Sequence, residues 1–456
     1  MGRLAASEAV KQFGTRAANV TRGEDASREA SARRQLETAK QIVAVLGTMK
    51  GAAMKLGQLM SFLDVGLVPE EHREEFQREL AKLRDAAPTV SFKQMKGVIE
   101  EDLEESIGEV FADFEEEPIA AASIGQVYRA TLKDDALVGA GGREVAVKVQ
   151  YPGVASAVRA DLRNLDMIMR LLKRMTPALD VKGLATEIKE RIVEELDYEL
   201  EAQNQRSLAR IYRGHPFIAI PEVVSSLSRE RVLVSEFVHG AGFEELKDGS
   251  QAQRDRIGEI VFRFYLGCLY RHHEFSGDPH PGNFMLLADG RVAFLDFGLY
   301  KRLERGPVEL ELACQRAVSE GDTATLHSLL ARSGFLPEPE RVDPDRLLAF
   351  IEDAIWWYTT ADEQVELTPE IVNAVMMEST DPRSRHFREM RHQTMDPEHL
   401  FGRRTEIMTL AVLSQLRPRV NWHRIAREWM YGEPPVTDLG REEQEFYART
   451  AVPAPG

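Results

Sequence analysis

Cysteine is scarce in this chain, with two in 456 residues. Cys268 and Cys314 both sit in apolar-rich helical patterns, which argues against a disulfide framework or a cysteine zinc site and fits a reducing, cytoplasmic setting. No uncharged apolar run reaches the ~18 residues that suggest a membrane-spanning helix, so none is expected. The N-terminus has no apolar signal-peptide core, and Ala6 stands where a myristoylation pattern requires Ser or Thr. Basic charge is in deficit: 58 Lys and Arg against 74 Asp and Glu leave a net charge of −16. That balance argues against a general nucleic-acid binder. The remaining composition, 43% hydrophobic and 29% charged, is that of a globular protein, and the chain is too long for one simple core.

The hydrophobic pattern divides the chain. Residues 1–35 are rich in Ala, Ser and Arg and read as a mobile or partly helical arm. Residues 36–62 and 69–105 read as helix, so 36–117 is expected to form a helical N-terminal extension. From Pro118 the pattern changes to short β-like runs, "IGQVYRATL" and "REVAVKVQY", separated by the Gly-rich turn 139–142. Helical patterns return at 154–176 and 182–213, and "RVLVSEFV" (231–238) reads as a strand entering a linker. Residues 118–238 thus form a small β-rich unit with inserted helices, and 239–432 a mainly helical one. The tail 433–456 reads as loosely ordered. The expected class is α+β.

Chemistry concentrates in 275–298. "NFMLLADGRVAFLD" places two apolar runs around Asp289-Gly290, a strong hairpin signal. With a two-residue loop, Ala288 pairs with Arg291 and Asn283 with Asp296. Directly opposite residues have Cβ atoms roughly 4.5–5.5 Å apart, so an amide oxygen and a carboxylate meet. Such hard oxygen ligands suit Mg²⁺, which leaves positions for phosphate oxygens. Asp278, on the Pro-rich loop before Asn283, is placed to orient an attacking hydroxyl or water.

Phosphoryl transfer makes further demands: a cation for the phosphates, a carboxylate to hold it, and a loop over them. In "EVAVKV", Val145, Val147 and Val149 share one face, and Ala146 and Lys148 the other. Lys148 is the candidate cation, and the small Ala146 leaves room for a flat base. The loop ahead of it, "AAASIGQ", has alanines where such loops carry glycines. Ala121, Ala122 and Ser123 line it, and Gly125 is its lone glycine. In "EELDYELEA" (194–202), read as part of one helix, Ile188, Ile192, Leu196 and Leu200 make the apolar face. Glu195 and Glu199 lie at its edge, with Asp197 and Glu201 on roughly the opposite side. The carboxylates therefore address two surroundings, one of them Lys148. "MKLGQLMSFL" (54–63) is a helical run with Lys55 and Gln58 on one face.

These motifs in this order resemble the UbiB/AarF-type atypical kinases, a protein-kinase-like group linked to ubiquinone and other isoprenoid quinones. "KLGQ" (55–58) matches that family's K-x-G-Q signature, "AAAS" (120–123) its Ala-rich loop, and "VAVKVQYP" its nucleotide lysine. "ELD" (195–197) matches its E-x-D motif, and "DPHPGN" and "DFG" its catalytic and metal loops. The last two are shared with aminoglycoside and choline kinases; the first elements are specific. The resemblance implies a two-lobe protein-kinase-like fold, with the N-terminal extension packed over the active site. It implies ATP and Mg²⁺ as cofactors, and ATPase or small-molecule kinase activity tied to a lipid or quinone precursor. Carried over by position, Lys148 contacts the phosphates, Asp278 is the catalytic base, and Asn283 and Asp296 hold metal. Lys55, Gln58, Glu195 and Asp197 enter the nucleotide pocket, and Glu236 and Val238 join them from the linker strand. Glu201 is the expected partner of Lys148. Ser276 departs from the family, which often has His there, and bears on the rigidity of the catalytic loop.

Partners implied in this way are biosynthetic enzymes and a peripheral membrane contact through the basic arm or an apolar helix face. Two other readings stay open. One is a catalytically weak nucleotide-binding regulator, a pseudokinase. The other is an antibiotic or choline phosphotransferase, which offers no role for "KLGQ".

Overall fold

The computed structural model describes Gln41 and residues 90–133, 142–175, 181–380 and 397–450. Lys55, Gln58, the arm and most of the expected N-terminal extension lie outside the described residues.

The small lobe begins earlier than the change of pattern at Pro118. Helices α1 (Phe92–Leu103) and α2 (Ile107–Val110) lead directly into β1 (Phe111–Phe114). Met95, Val98 and Ile99 of α1 are buried in the same core as Val145, Val147 and Val149. The expected boundary at 117 is therefore displaced, because an amphipathic helix hides its apolar face on the lobe's own sheet. β2 (Ala120–Ala122) and β3 (Gly125–Leu132) form a tight hairpin, and β4 (Glu144–Gln150) follows.

Helices α3 (Val154–Met175) and α4 (Val181–Glu194) come next, then α5 (Tyr198–Ile211). The single helix expected over 182–213 is in fact broken at 195–197. Asp197 is extended (φ −117°, ψ 94°) and caps α5, its Oδ1 accepting from the N–H groups of Glu199 and Leu200. The Gln150 side chain holds the break from the sheet, donating to the Leu196 carbonyl at 2.8 Å. An N-cap Asp outcompetes helix continuation where its oxygen satisfies the donors of a new first turn.

β5 (Ile218–Ala219) belongs to the large lobe, whereas β6 (Val232–Glu236) closes the small-lobe sheet in the order β1-β3-β4-β6, with β2 on β3. β7 (Gly240–Ala241), α6 (Phe243–Lys247) and α7 (Gln251–Phe262) open the large lobe proper. A π-helical turn, Arg263–Gly267, joins α7 to α8 (Cys268–His272). β8 (Glu274–Ser276), β9 (Phe284–Leu287), β10 (Val292–Phe294) and β11 (Tyr300–Arg302) carry the loops of the 275–298 stretch. The remainder is helical: α9 (Arg305–Ser319), α10 (Thr323–Arg332), α11 (Pro344–Thr359), α12 (Pro369–Thr380) and α13 (Pro397–Leu416). α14 (Trp422–Met430) and α15 (Asp438–Thr450) follow. Trp357 and Trp422 are core residues, packed edge-on around Phe262.

The tail also departs from expectation. Residues 438–450 form α15 rather than loose chain, and Leu439, Glu443 and Phe446 are buried. Pro-rich flanks hid a helix whose docking is ionic as well as apolar. Glu443 meets Arg263 at 2.9 Å and Arg271 at 3.1 Å.

Candidate active site

Lys148 is where the two lobes meet. On β4 the valines are fully buried on one face, and Ala146 and Lys148 occupy the other. Lys148 Nζ lies 2.7 Å from Glu201 Oε1, 2.9 Å from Oε2, and 3.4 Å from Asp296 Oδ2. Of the acids in "EELDYELEA", Glu201 is thus brought to the lysine. Burial works against the charge of Lys148, but Asp296 and Glu201 outweigh it and hold the pKa well above the ordinary lysine value. Burial raises the Glu201 carboxyl; Lys148 opposes this and Asp296 adds to it. Two carboxyls facing one ammonium leave room for further positive charge.

The hairpin register differs from expectation by one residue. Phe284 pairs with Phe294, and Leu286 with Val292. The loop holds Ala288, Asp289 and Gly290, with Gly290 at φ +84° and its N–H on the Leu287 carbonyl at 3.0 Å. A left-handed glycine after a type I turn absorbs the extra residue. Asn283 therefore faces Leu295, whose N–H donates to its carbonyl at 2.9 Å. Asp296 lies one residue beyond, and the loop after β10 turns it toward Lys148. Its Oδ1 accepts from Gly298 N–H at 3.1 Å.

Asn283 and Asp278 are brought together. The Asn283 Nδ2 group donates to the Asp278 carbonyl at 2.9 Å, which leaves the amide oxygen as the ligand-capable atom. Ser276 is buried, and its hydroxyl donates to the Asp296 carbonyl at 3.1 Å. The residue that replaces the family's usual histidine therefore ties the two loops through backbone. Gly277 N–H reinforces the link by donating to the Leu299 carbonyl at 2.5 Å.

Other expected residues are placed less directly. Ala121 and Ala122 lie on β2, and Ser123 and Ile124 turn the hairpin. Gly125 has a packing reason to lack a side chain: a Cβ there would lie 2.1 Å from the Val149 carbonyl oxygen. Glu195 is buried at the helix break. Asp197 serves as the cap of α5. The Glu236 side chain is exposed and pairs with Arg143 at 3.2 Å, and its backbone N–H donates to the Glu222 carbonyl at 2.8 Å. Val238 is half-buried in that linker.

Sequence reasoning missed four residues. Val127 pairs with Lys148 across the sheet and shares its face. Asn204 donates to the Phe297 carbonyl at 3.3 Å; its i+3 spacing from Glu201 was a usable signal. Tyr265, in the π-helical turn, is buried. Burial, then Asp278 and Asp296, push its phenol well above the ordinary range. Nothing local foretold that turn. Tyr198 lies under Lys148, with Nζ 5.1 Å from the ring centroid.

Residues 82–329 match the family described as the ABC1 atypical kinase-like domain. The chain belongs to that family. The UbiB/AarF resemblance and the two-lobe kinase-like fold agree with it. The chain is 30% identical over 289 residues to "Atypical kinase COQ8B, mitochondrial" of Danio rerio, covering 63% of this chain and 45% of that protein. It is 33% identical over 261 residues to "AarF domain-containing protein kinase 1" of Xenopus tropicalis, covering 56% and 48%. The chain spans about half the length of the curated relatives it matches. Among solved structures, one described as "The complex structure of Rv3197-erythromycin from Mycobacterium tuberculosis" matches with a TM-score of 0.62 and 31% identity. It covers 90% of this chain and 100% of that one.

Proposed function

We propose that this ABC1-family chain is an atypical kinase or ATPase that binds Mg-ATP between its lobes and serves an isoprenoid-quinone pathway. The observation that carries the reading is Lys148 held between Glu201 and Asp296. That lysine–glutamate pair, with a loop aspartate in place, is what phosphoryl-transfer sites of this type require. Lys148, kept protonated, reaches the α/β-phosphates. The flat base lies against Val127 and Ala146, with the linker backbone at Glu236 and Val238 reading its edge.

The residues fit Mg²⁺. Among the described residues no group of three His, Cys, Asp or Glu side chains is arranged to hold a metal. The Asn283 amide oxygen and the Asp296 carboxylate, on loops flanking the β9–β10 hairpin, would instead supply two hard oxygen ligands, a set completed by phosphate and water. Bound there, the cation would neutralise charge developing on the phosphates. Asp278, its loop fixed by Asn283 and Ser276, orients the attacking hydroxyl or water and takes its proton.

The quinone link rests on the family resemblance and on relatives named as atypical kinases. A small-molecule rather than protein client is supported by the mycobacterial relative described with erythromycin. No helix among the described residues is long and apolar enough to cross a membrane; membrane contact in this reading is peripheral. The second reading, a weakly catalytic regulator of biosynthetic enzymes, is favoured by the short hairpin turn, where Ile124 is buried and its carbonyl accepts from Tyr151 N–H at 2.8 Å. Such a turn offers fewer backbone donors than a glycine loop.

The test is Mg²⁺-dependent ATP hydrolysis, with and without anionic liposomes, beside Asp296→Asn. Turnover that falls by roughly a hundredfold or more in the variant supports the first reading. Nucleotide binding without turnover in any condition supports the second. Absence of nucleotide binding overturns both.

A further inference from the structure

Tyr198 opens α5 and is 1% exposed. Its position is set by backbone: its N–H donates to the Glu230 carbonyl at 2.9 Å, and the Asp197 cap fixes the turn around it. The ring lies under Lys148 Nζ. The hydroxyl lies beside the hairpin turn, 3.0 Å from where a Cβ on Gly125 would stand. Glycine at 125 keeps that approach open. Yet the hydroxyl oxygen is buried and makes no hydrogen bond among the described residues. Buried phenols nearly always have a partner, so an unmet donor next to a ligand-facing lysine needs a reason. Burial raises its pKa; Lys148 opposes, and Glu201, Asp296 and Glu195 add to the rise. The group is therefore an O–H donor at any working pH.

We propose that the Tyr198 hydroxyl is a ligand-binding donor for an anionic phosphoryl oxygen of the nucleotide that Lys148 holds. The inference rests on the nucleotide reading above. The Ala-rich turn explains why such a donor is useful. Its two turn residues are Ser123 and Ile124, and Ile124 is packed into the lobe. Backbone N–H groups that a longer glycine loop would bring from above are few. Tyr198 supplies a donor from below, on the element that also carries Glu201.

Tyr198→Phe removes the hydroxyl and keeps the ring under Lys148. Titration calorimetry with Mg²⁺ would compare ATP, ADP and adenosine on wild type and variant, beside thermal unfolding of the ligand-free proteins. A hydrogen bond to a charged group implies that ATP and ADP bind roughly tenfold or more weakly to the variant. Adenosine binding stays unchanged, and the ligand-free midpoint stays level or rises because an unmet polar group is gone. Unchanged ATP affinity overturns the proposal, and means that water or nothing satisfies the hydroxyl. An equal loss for adenosine, or a clear drop in the ligand-free midpoint, overturns it in favour of a purely structural role. If wild type binds no nucleotide, the function proposed above fails and this inference with it. If wild type binds and the variant matches it, this inference alone fails.

Discussion

Replacing Glu443 by Gln probes what holds the C-terminal helix. Glu443 is 2% exposed. Its carboxylate lies 2.9 Å from Arg263 Nη1 and 3.1 Å from Arg271 Nη1, with His215 Nε2 at 3.7 Å. Arg263, wholly buried, also meets Glu259 at 2.8 Å and Glu428 at 2.7 Å. Burial would raise the Glu443 pKa, but Arg271, His215 and Arg263 together hold it far below the ordinary carboxylate range. Removing one partner of a buried ion pair costs about 3–5 kcal/mol. The lower end, about 3 kcal/mol, applies here because Glu259 and Glu428 still balance the two arginines. The exposed pair of Arg424 and Asp362, with side chains 44% and 41% exposed, is the internal control. Asp362→Asn should cost less than about 1 kcal/mol. Urea unfolding of the full chain at neutral pH measures both, read as a shift of midpoint at constant slope. The sign with pH also follows. A depressed folded pKa means that the Glu443 contribution is complete above its ordinary value of 4.5 and drains as pH falls below it. Wild type and Glu443→Gln should therefore converge in strong acid. Equal losses for Glu443→Gln and Asp362→Asn, or a gap that widens on acidification, would refute the argument.

Two further substitutions test the small lobe and the loop support. Gly125→Ala sets a methyl 2.1 Å from the Val149 carbonyl oxygen, so the β2–β3 hairpin must shift. A loss of about 1–3 kcal/mol or more is expected in thermal unfolding, and a neutral result would show that the hairpin yields freely. Ser276→Ala deletes the hydroxyl that donates to the Asp296 carbonyl. It should cost about 1 kcal/mol and lower turnover more than nucleotide affinity; an unchanged turnover number would free the loop from that support.

Much of the site was legible because it is built from short-range regularities. Strand alternation alone put Lys148 opposite the valine face, and helix spacing set Asp197 and Glu201 apart from Glu195 and Glu199. What misled was local competition. One left-handed glycine moved the hairpin register by a residue, and one capping aspartate cut an expected helix in two. The tail looked loosely ordered because its binding energy lies in partners more than 150 residues away, in Arg263 and Arg271.

The sequence by itself determined the chemistry available: a strand lysine, loop amide and carboxylate oxygens, and alanines in place of glycines. These follow from residue type and spacing, which no packing can alter. Only the tertiary structure decided which acid meets Lys148, that Ser276 ties the Asp278 loop to the Asp296 backbone, and that Tyr198 brings an unmet hydroxyl beneath the alanine turn. Those outcomes depend on where a helix breaks and how two lobes close. Both are set by long-range burial and hydrogen bonding, to which local pattern is blind.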